Sequence, residues 1–189
     1  MDSTYVPAVI TGIAGIAGII INVSVNTWYR YSDIKEKKKE RNIMAYETFY
    51  VPLCDKLLIF QYALKLLKNK VPSVELKMIG EYLRDGNPPS ALRSPIDDIY
   101  RSAQEVYQFV ASNSFKYITD YKTKVYYDKI MKCVTALCRA REKHEEFSNI
   151  EFKMEYIDKF INRVDYISIN IFTSNIVYQM YLRRWKKKQ

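Results

Sequence analysis

Histidine is almost missing from this chain: His144 stands alone among 189 residues. A single imidazole excludes the paired-histidine zinc helix and leaves any histidine-based triad resting on one position. That position lies in REKHEEF, a charged run in which a lone histidine is ordinarily solvated. Glycine (5) and proline (6) are also scarce. Gly12, Gly15 and Gly18 lie close together in an uncharged run, so no glycine-rich phosphate loop is available. The three cysteines, Cys54, Cys133 and Cys138, make no CxxC pair, and an odd count is a poor disulfide framework. Cys133 and Cys138 also stand at a spacing that turns them to different sides of a helix, which excludes a shared metal. No GxSxG elbow occurs, and Asp97-Asp98 reads as helix-start chemistry. These absences predict no catalytic residue, no metal and no cofactor. The chain is not expected to be an enzyme.

Charge is missing from one long stretch. Val6 to Trp28, VPAVITGIAGIAGIIINVSVNTW, carries no ionisable side chain, and a helix needs roughly 20 apolar residues to cross a bilayer. Tyr5 marks one end, and Trp28, Tyr29 and Tyr31 mark the other, where amphipathic rings settle at headgroup level. The residues before the run hold an acid and no base, unlike a secretory signal peptide. After it come Arg30, Lys35, Lys37, Lys38, Lys39 and Arg41, which stay cytoplasmic by the positive-inside rule. The expectation is a single-pass anchor in a bacterial inner membrane, N-terminus outside and C-terminal domain in the cytoplasm. A buried helix of a soluble domain is the rival reading.

The remainder is rich in Lys, Glu, Leu and Ile and poor in breakers, which favours helices over a sheet. The expected fold is all-α: residues 1–31 as a transmembrane, pore-forming helix and 32–189 as a cytosolic helical bundle for sensing and oligomerisation. Helix is expected from Ser32 to about Asn69, kinked at Pro52. Ser73 is a candidate cap for VELKMIGEYLRD, closed by Gly86. NPPSALRSP then reads as a loop, with Ser94 capping and Pro95 in the first turn of the next helix. A long helix should run from about Phe115 to Phe147. Ser148-Asn149-Ile150-Glu151 reads as a capping box for a last helix reaching towards Arg184. Within it, Tyr166 to Leu182 is uncharged but polar, and is taken as a core helix. A second membrane segment, or a short strand through Ile167, Ile169 and Ile171, is the alternative.

Two constellations carry function. On a helix, Thr4, Ala8, Thr11, Gly15, Gly18, Asn22, Asn26 and Tyr29 gather within about 80°, opposite Val9, Ile13, Ile16 and Ile20. Polar residues in a membrane helix face a partner or water, and small ones permit close approach. One reading makes Thr11, Asn22 and Asn26 the lining of an aqueous pore between copies, four being favoured, with Gly15 and Gly18 as packing positions. The other makes the stripe a dimer seam. The second constellation is cytosolic: between Lys116 and Arg141, Lys and Arg interleave with Tyr117, Tyr121, Tyr126 and Tyr127. Such a surface suits a nucleotide or a short single strand of DNA, whose bases stack on rings while phosphates meet ammonium groups. Lys122, Lys124, Lys129, Tyr126 and Tyr127 are its candidate contacts. The alternative is that the tyrosines pack the bundle and the lysines face water.

The span TGIAGIAGIIINVSVN followed by a basic helical domain resembles small single-span membrane effectors of bacterial anti-phage defence, including the channel effector of Hailong-type systems. The resemblance implies a homo-oligomeric ion channel, gated by an anionic ligand that a separately encoded partner enzyme makes. The bilayer and further copies of the chain are then its other partners. The competing class is a membrane-tethered scaffold that binds a protein partner and forms no pore. A weaker one is a lipid-surface protein built on the juxtamembrane bases and the terminal cluster from Arg183 to Lys188.

Overall fold

A computed structural model describes the backbone of residues 5–113, 120–147 and 150–186, and the side chains of 19, 21–113, 120–147, 150–171 and 173. The described chain is all-helical, as the sequence predicts. In order, α1 spans Tyr5–Ala45, a π-helical turn Tyr46–Tyr50, α2 Val51–Lys70, α3 Leu76–Asp85, α4 Ser90–Ser112, α5 Tyr121–Lys143 and α6 Glu155–Lys186. The chain divides into two compact units, 1–42 and 43–189. The division falls within α1 itself, beyond the 31/32 boundary drawn from the end of the aromatic belt.

In the first unit every described side chain from Ile21 to Tyr31 is exposed, apolar ones included. Among the described residues no helix is long and apolar enough to cross a membrane. The side chains of Thr11, Gly15 and Gly18 lie outside the described residues, as does most of the apolar run.

The second unit is built around α5, which packs on α3, α4 and α6, while α2 lies mainly on α4. The α4 stripe shows why. Leu92, Ile96, Ile99, Ala103, Val106 and Val110 recur at helical spacing and all are buried. Fully burying a large aliphatic side chain contributes roughly 1.5–3 kcal/mol, so a stripe of this length fixes the helix by its contacts. α5 is enclosed on more sides, with Thr123, Tyr127, Ile130, Cys133, Val134, Leu137, Cys138 and Ala140 all buried. Gln61 is a buried polar link: its Nε2 donates to Asp158 Oδ1 at 2.8 Å and holds α2 to α6.

Where a kink or interruption was expected at Pro52, the helical register is displaced instead. The Val51 N–H donates to the Tyr46 carbonyl across a widened π turn, and Pro52, with no N–H, occupies the first turn of α2. Gly86 closes α3 in the left-handed conformation, φ 66°, as the C-terminal glycine was expected to.

Several boundaries differ. Glu75, not Ser73, precedes α3, and no side chain caps that end. α4 starts one turn before Pro95, because Pro89 is extended and its carbonyl accepts from Leu92 and Arg93 at 2.8 and 3.1 Å. Pro95 is therefore inside the helix, tolerated because Leu92 already belongs to the buried stripe. α5 stops at Lys143, where His144 turns left-handed at φ 52°. Residues 150–154 are not helical, so Glu151 starts no helix there, and Ser148 lies outside the described residues. The strand reading of Ile167, Ile169 and Ile171 is overturned: all three lie on α6. The side chains of most of Tyr166–Leu182 are not described.

Candidate functional site

The outward face shared by α5 and α6 gathers most of the predicted ligand residues. It begins with a clamp. Asp120 caps α5, its Oδ2 accepting from the Thr123 N–H at 2.9 Å and from the Thr123 hydroxyl at 2.7 Å. The same oxygen accepts from Arg163 Nη2 of α6 at 3.0 Å. These donors, Thr123 first and Arg163 after it, hold the Asp120 carboxyl below its ordinary 3.8. Arg163 also lies 5.1 Å over the Tyr166 ring.

Two helical turns further along, two tyrosine–lysine pairs face each other. Tyr126 and Tyr156 stack with centroids 6.4 Å apart and planes at 27°. Lys129 of α5 reaches the ring of Tyr156 at 4.4 Å and donates to its hydroxyl at 3.2 Å. The Tyr156 hydroxyl in turn donates to Glu151 at 3.0 Å. The hydrogen bond from Lys129 to Tyr156, and then the nearby Tyr156 and Glu151 charges, raise the Lys129 pKa above its ordinary value. Lys159 is raised too, first by its hydrogen bond to Glu155, with Tyr126 and Tyr156 adding. The two quartets read YYDK at Tyr126–Lys129 and YIDK at Tyr156–Lys159.

The five predicted contacts separate on this geometry. Lys122, Tyr126 and Lys129 share a helix face by their i, i+4, i+7 spacing. Lys122 is exposed, Tyr126 is half-buried, and Lys129 is engaged with Tyr156. Lys124, also exposed, projects about 200° around α5 from Lys122 and belongs to another surface. Tyr127 is a correction: it is only 2% exposed and packs on Phe160 at 6.4 Å, so its ring serves the core. The second tyrosine–lysine pair was missed by sequence reasoning, although the repeated Tyr-x-Asp-Lys quartet was visible in the chain.

Elsewhere among the described residues there is little chemistry. An open groove of 520 Å³ lies beside α5, lined with both signs of charge by Asp128, Lys132, Arg139, Glu145 and Glu146. Burial pushes the Cys54 and Cys138 thiols up to about 12 and raises Cys133 further, which disfavours the thiolate. Among the described residues no cluster of His, Cys, Asp or Glu is arranged to hold a metal. His144 has a structural role, donating from Nδ1 to the Arg84 carbonyl at 2.7 Å. In the first unit, Asn26 Nδ2 donates to Asn22 Oδ1 at 2.9 Å, placing the two amides on one side of α1. No protein-family model, curated protein or solved structure matches the chain.

Proposed function

We propose that the chain is a membrane-anchored, homo-oligomeric effector of the channel type, in which residues 6–28 span the bilayer and the helical unit binds an anionic nucleotide or a short single strand of DNA. The observation that carries this reading is the Asn22–Asn26 pair. Among the described residues their one hydrogen bond leaves the Asn22 amide donors and the Asn26 carbonyl for other partners. Apolar Ile19, Ile21, Val23 and Val25 around them are exposed. A span in hydrocarbon must satisfy its polar groups internally, against another helix or against water between helices. Several copies around a common axis meet that demand, with Thr11, Asn22 and Asn26 facing inward and Gly15 and Gly18 permitting approach.

The ligand reading rests on the paired tyrosines and lysines. Tyr126 offers a half-exposed ring for stacking, while Lys122, Lys129 and Lys159 offer ammonium groups. Glu155 already pairs with Lys159, and Glu151 with the Tyr156 hydroxyl. A ligand phosphate therefore competes with these carboxylates, and its binding exchanges one arrangement of this face for another. A ligand shifts an assembly only by preferring one of its states, and this exchange supplies such a preference.

Particle mass and ion flux in lipid nanodiscs and proteoliposomes test the proposal, with short single-stranded DNA as the probe. Four or more copies and probe-dependent flux are expected. Asn22→Leu should abolish flux or change the mass, and Lys129→Glu should remove the response to the probe while Lys124→Glu leaves it. A monomer or dimer without flux would turn the assignment to the membrane-tethered scaffold.

A further inference from the structure

The α2 helix carries a face that the described residues leave uncovered. Val51, Asp55, Leu58, Ile59, Tyr62, Lys65, Leu66 and Asn69 are all exposed and lie within about 120° of the helix surface. Tyr62 is 63% and Ile59 55% exposed, unusual for large side chains in the middle of a packed bundle helix. Between them lies a shallow hollow of 460 Å³, lined by Leu58, Ile59, Gln61, Tyr62 and Lys65. The charges on this face are polarised along it. Asp55 stands at one end of the apolar centre and Lys65 at the other, about 15 Å apart along the axis. Glu47 is exposed beyond the acidic end, and Lys68 and Lys70 beyond the basic end.

From this we infer that the α2 face is a self-association surface, on which a second copy of the chain docks antiparallel about a two-fold axis. With the axis crossing the exposed face at the level of position 60, Leu58 meets the partner's Tyr62, and Asp55 meets the partner's Lys65. By symmetry Lys65 meets the partner's Asp55, so both ends close with opposite charges. A parallel pairing places Asp55 against the partner's Asp55 and Lys65 against the partner's Lys65, which like charges oppose. An isologous contact of this kind uses one patch twice, and the alternation of acid, apolar centre and base suits it. The central hollow receives the partner's apolar side chains, as the core of an interface excludes water around its anchors. The surface belongs to the helical unit and holds independently of the channel reading: a pore can fail while this pairing stands, and the reverse.

The test is a charge exchange in the full chain, read by native mass of the detergent-solubilised particle. Wild type should give an even number of copies. Asp55→Lys alone and Lys65→Glu alone should each halve the particle mass, and the double variant should restore it. Both residues are exposed, and an unchanged helical circular dichroism spectrum checks that the fold is kept. A second measurement fixes the direction: Ile59→Cys, near the axis, should form a covalent dimer under mild oxidation, whereas Val51→Cys and Leu66→Cys should not. Equal crosslinking at all three positions indicates a parallel pair and overturns the proposal. So does an odd-numbered or monomeric wild type, or single variants whose mass is unchanged. If Lys65→Glu weakens and Asp55→Lys strengthens attachment to anionic vesicles at constant mass, the face serves a lipid surface and the pairing is wrong.

Discussion

α1 and α5 are built from much the same apolar residue types, yet they end in opposite environments. The apolar residues of α5 are spent on its neighbours: Ile130, Val134 and Leu137 are essentially inaccessible, and even its two thiols are buried. Along α1, Ile19, Ile21, Val23, Val25 and Ile34 remain exposed. The difference lies in what stands between the apolar positions. On α5 charged residues alternate with them at helical spacing, so one stripe points inward and water takes the rest. On α1 from Val6 to Trp28 no charge intervenes, and Thr11, Asn22 and Asn26 supply only a narrow polar side. One helix is completed by its own chain; the described side chains of the other, from Ile21 to Tyr31, stay exposed.

This contrast predicts that stability and assembly respond to different residues. The largest effect on stability should come from Phe160→Ala. The ring is fully buried between Tyr50 and Tyr127, and its loss should cost about 3–5 kcal/mol in chemical denaturation. Gly80→Ala comes next. A methyl there would run into the ring and Cβ of Phe147, and overpacking of this kind costs typically 1–3 kcal/mol. Asp120→Ala should cost about 0.5–2 kcal/mol for the lost cap, with the α6 contact through Arg163 lost as well. Its pH dependence has a definite sign. The carboxyl titrates below its ordinary 3.8, so its contribution is intact above that pH and vanishes as acid protonates it in the folded state. Wild type and Asp120→Ala should therefore converge in stability as the pH falls through the lowered pKa of that carboxyl. Asn22→Leu should leave the unfolding of the helical unit unchanged while altering particle mass or flux. A shift in its denaturation midpoint would break the separation of the two roles.

The helical class was readable because apolar spacing and burial agree along α4 and α5, and because almost nothing in the chain breaks a helix. Capping was less readable. Ser73 looked like a cap, yet α3 starts after an extended Glu75 whose own side chain caps nothing. Pro95 looked like a start, but burial of Leu92 outweighed the missing N–H and carried the helix one turn upstream. The end of α5 was hidden because it depends on a left-handed His144 held by a carbonyl 60 positions away in the chain. Local propensity does not contain such a contact. The site divides in the same way. Helical spacing sets Lys124 apart from Lys122, Tyr126 and Lys129, a separation absent from the five contacts read off the sequence, and Tyr127 was misplaced because two adjacent tyrosines are indistinguishable until one of them meets Phe160.

The His144–Arg84 contact has a spectroscopic consequence. With one imidazole per chain, the proton on Cε1 of His144 gives a single resonance that needs no assignment to a residue. Its Nδ1–H bridges the end of α5 to the Arg84 carbonyl on α3, so its line position follows the closure of that corner. In a symmetric assembly every copy contributes to one line. Two lines of equal intensity would reveal subunits in unlike states, and addition of a ligand could then be followed as one line growing at the expense of the other.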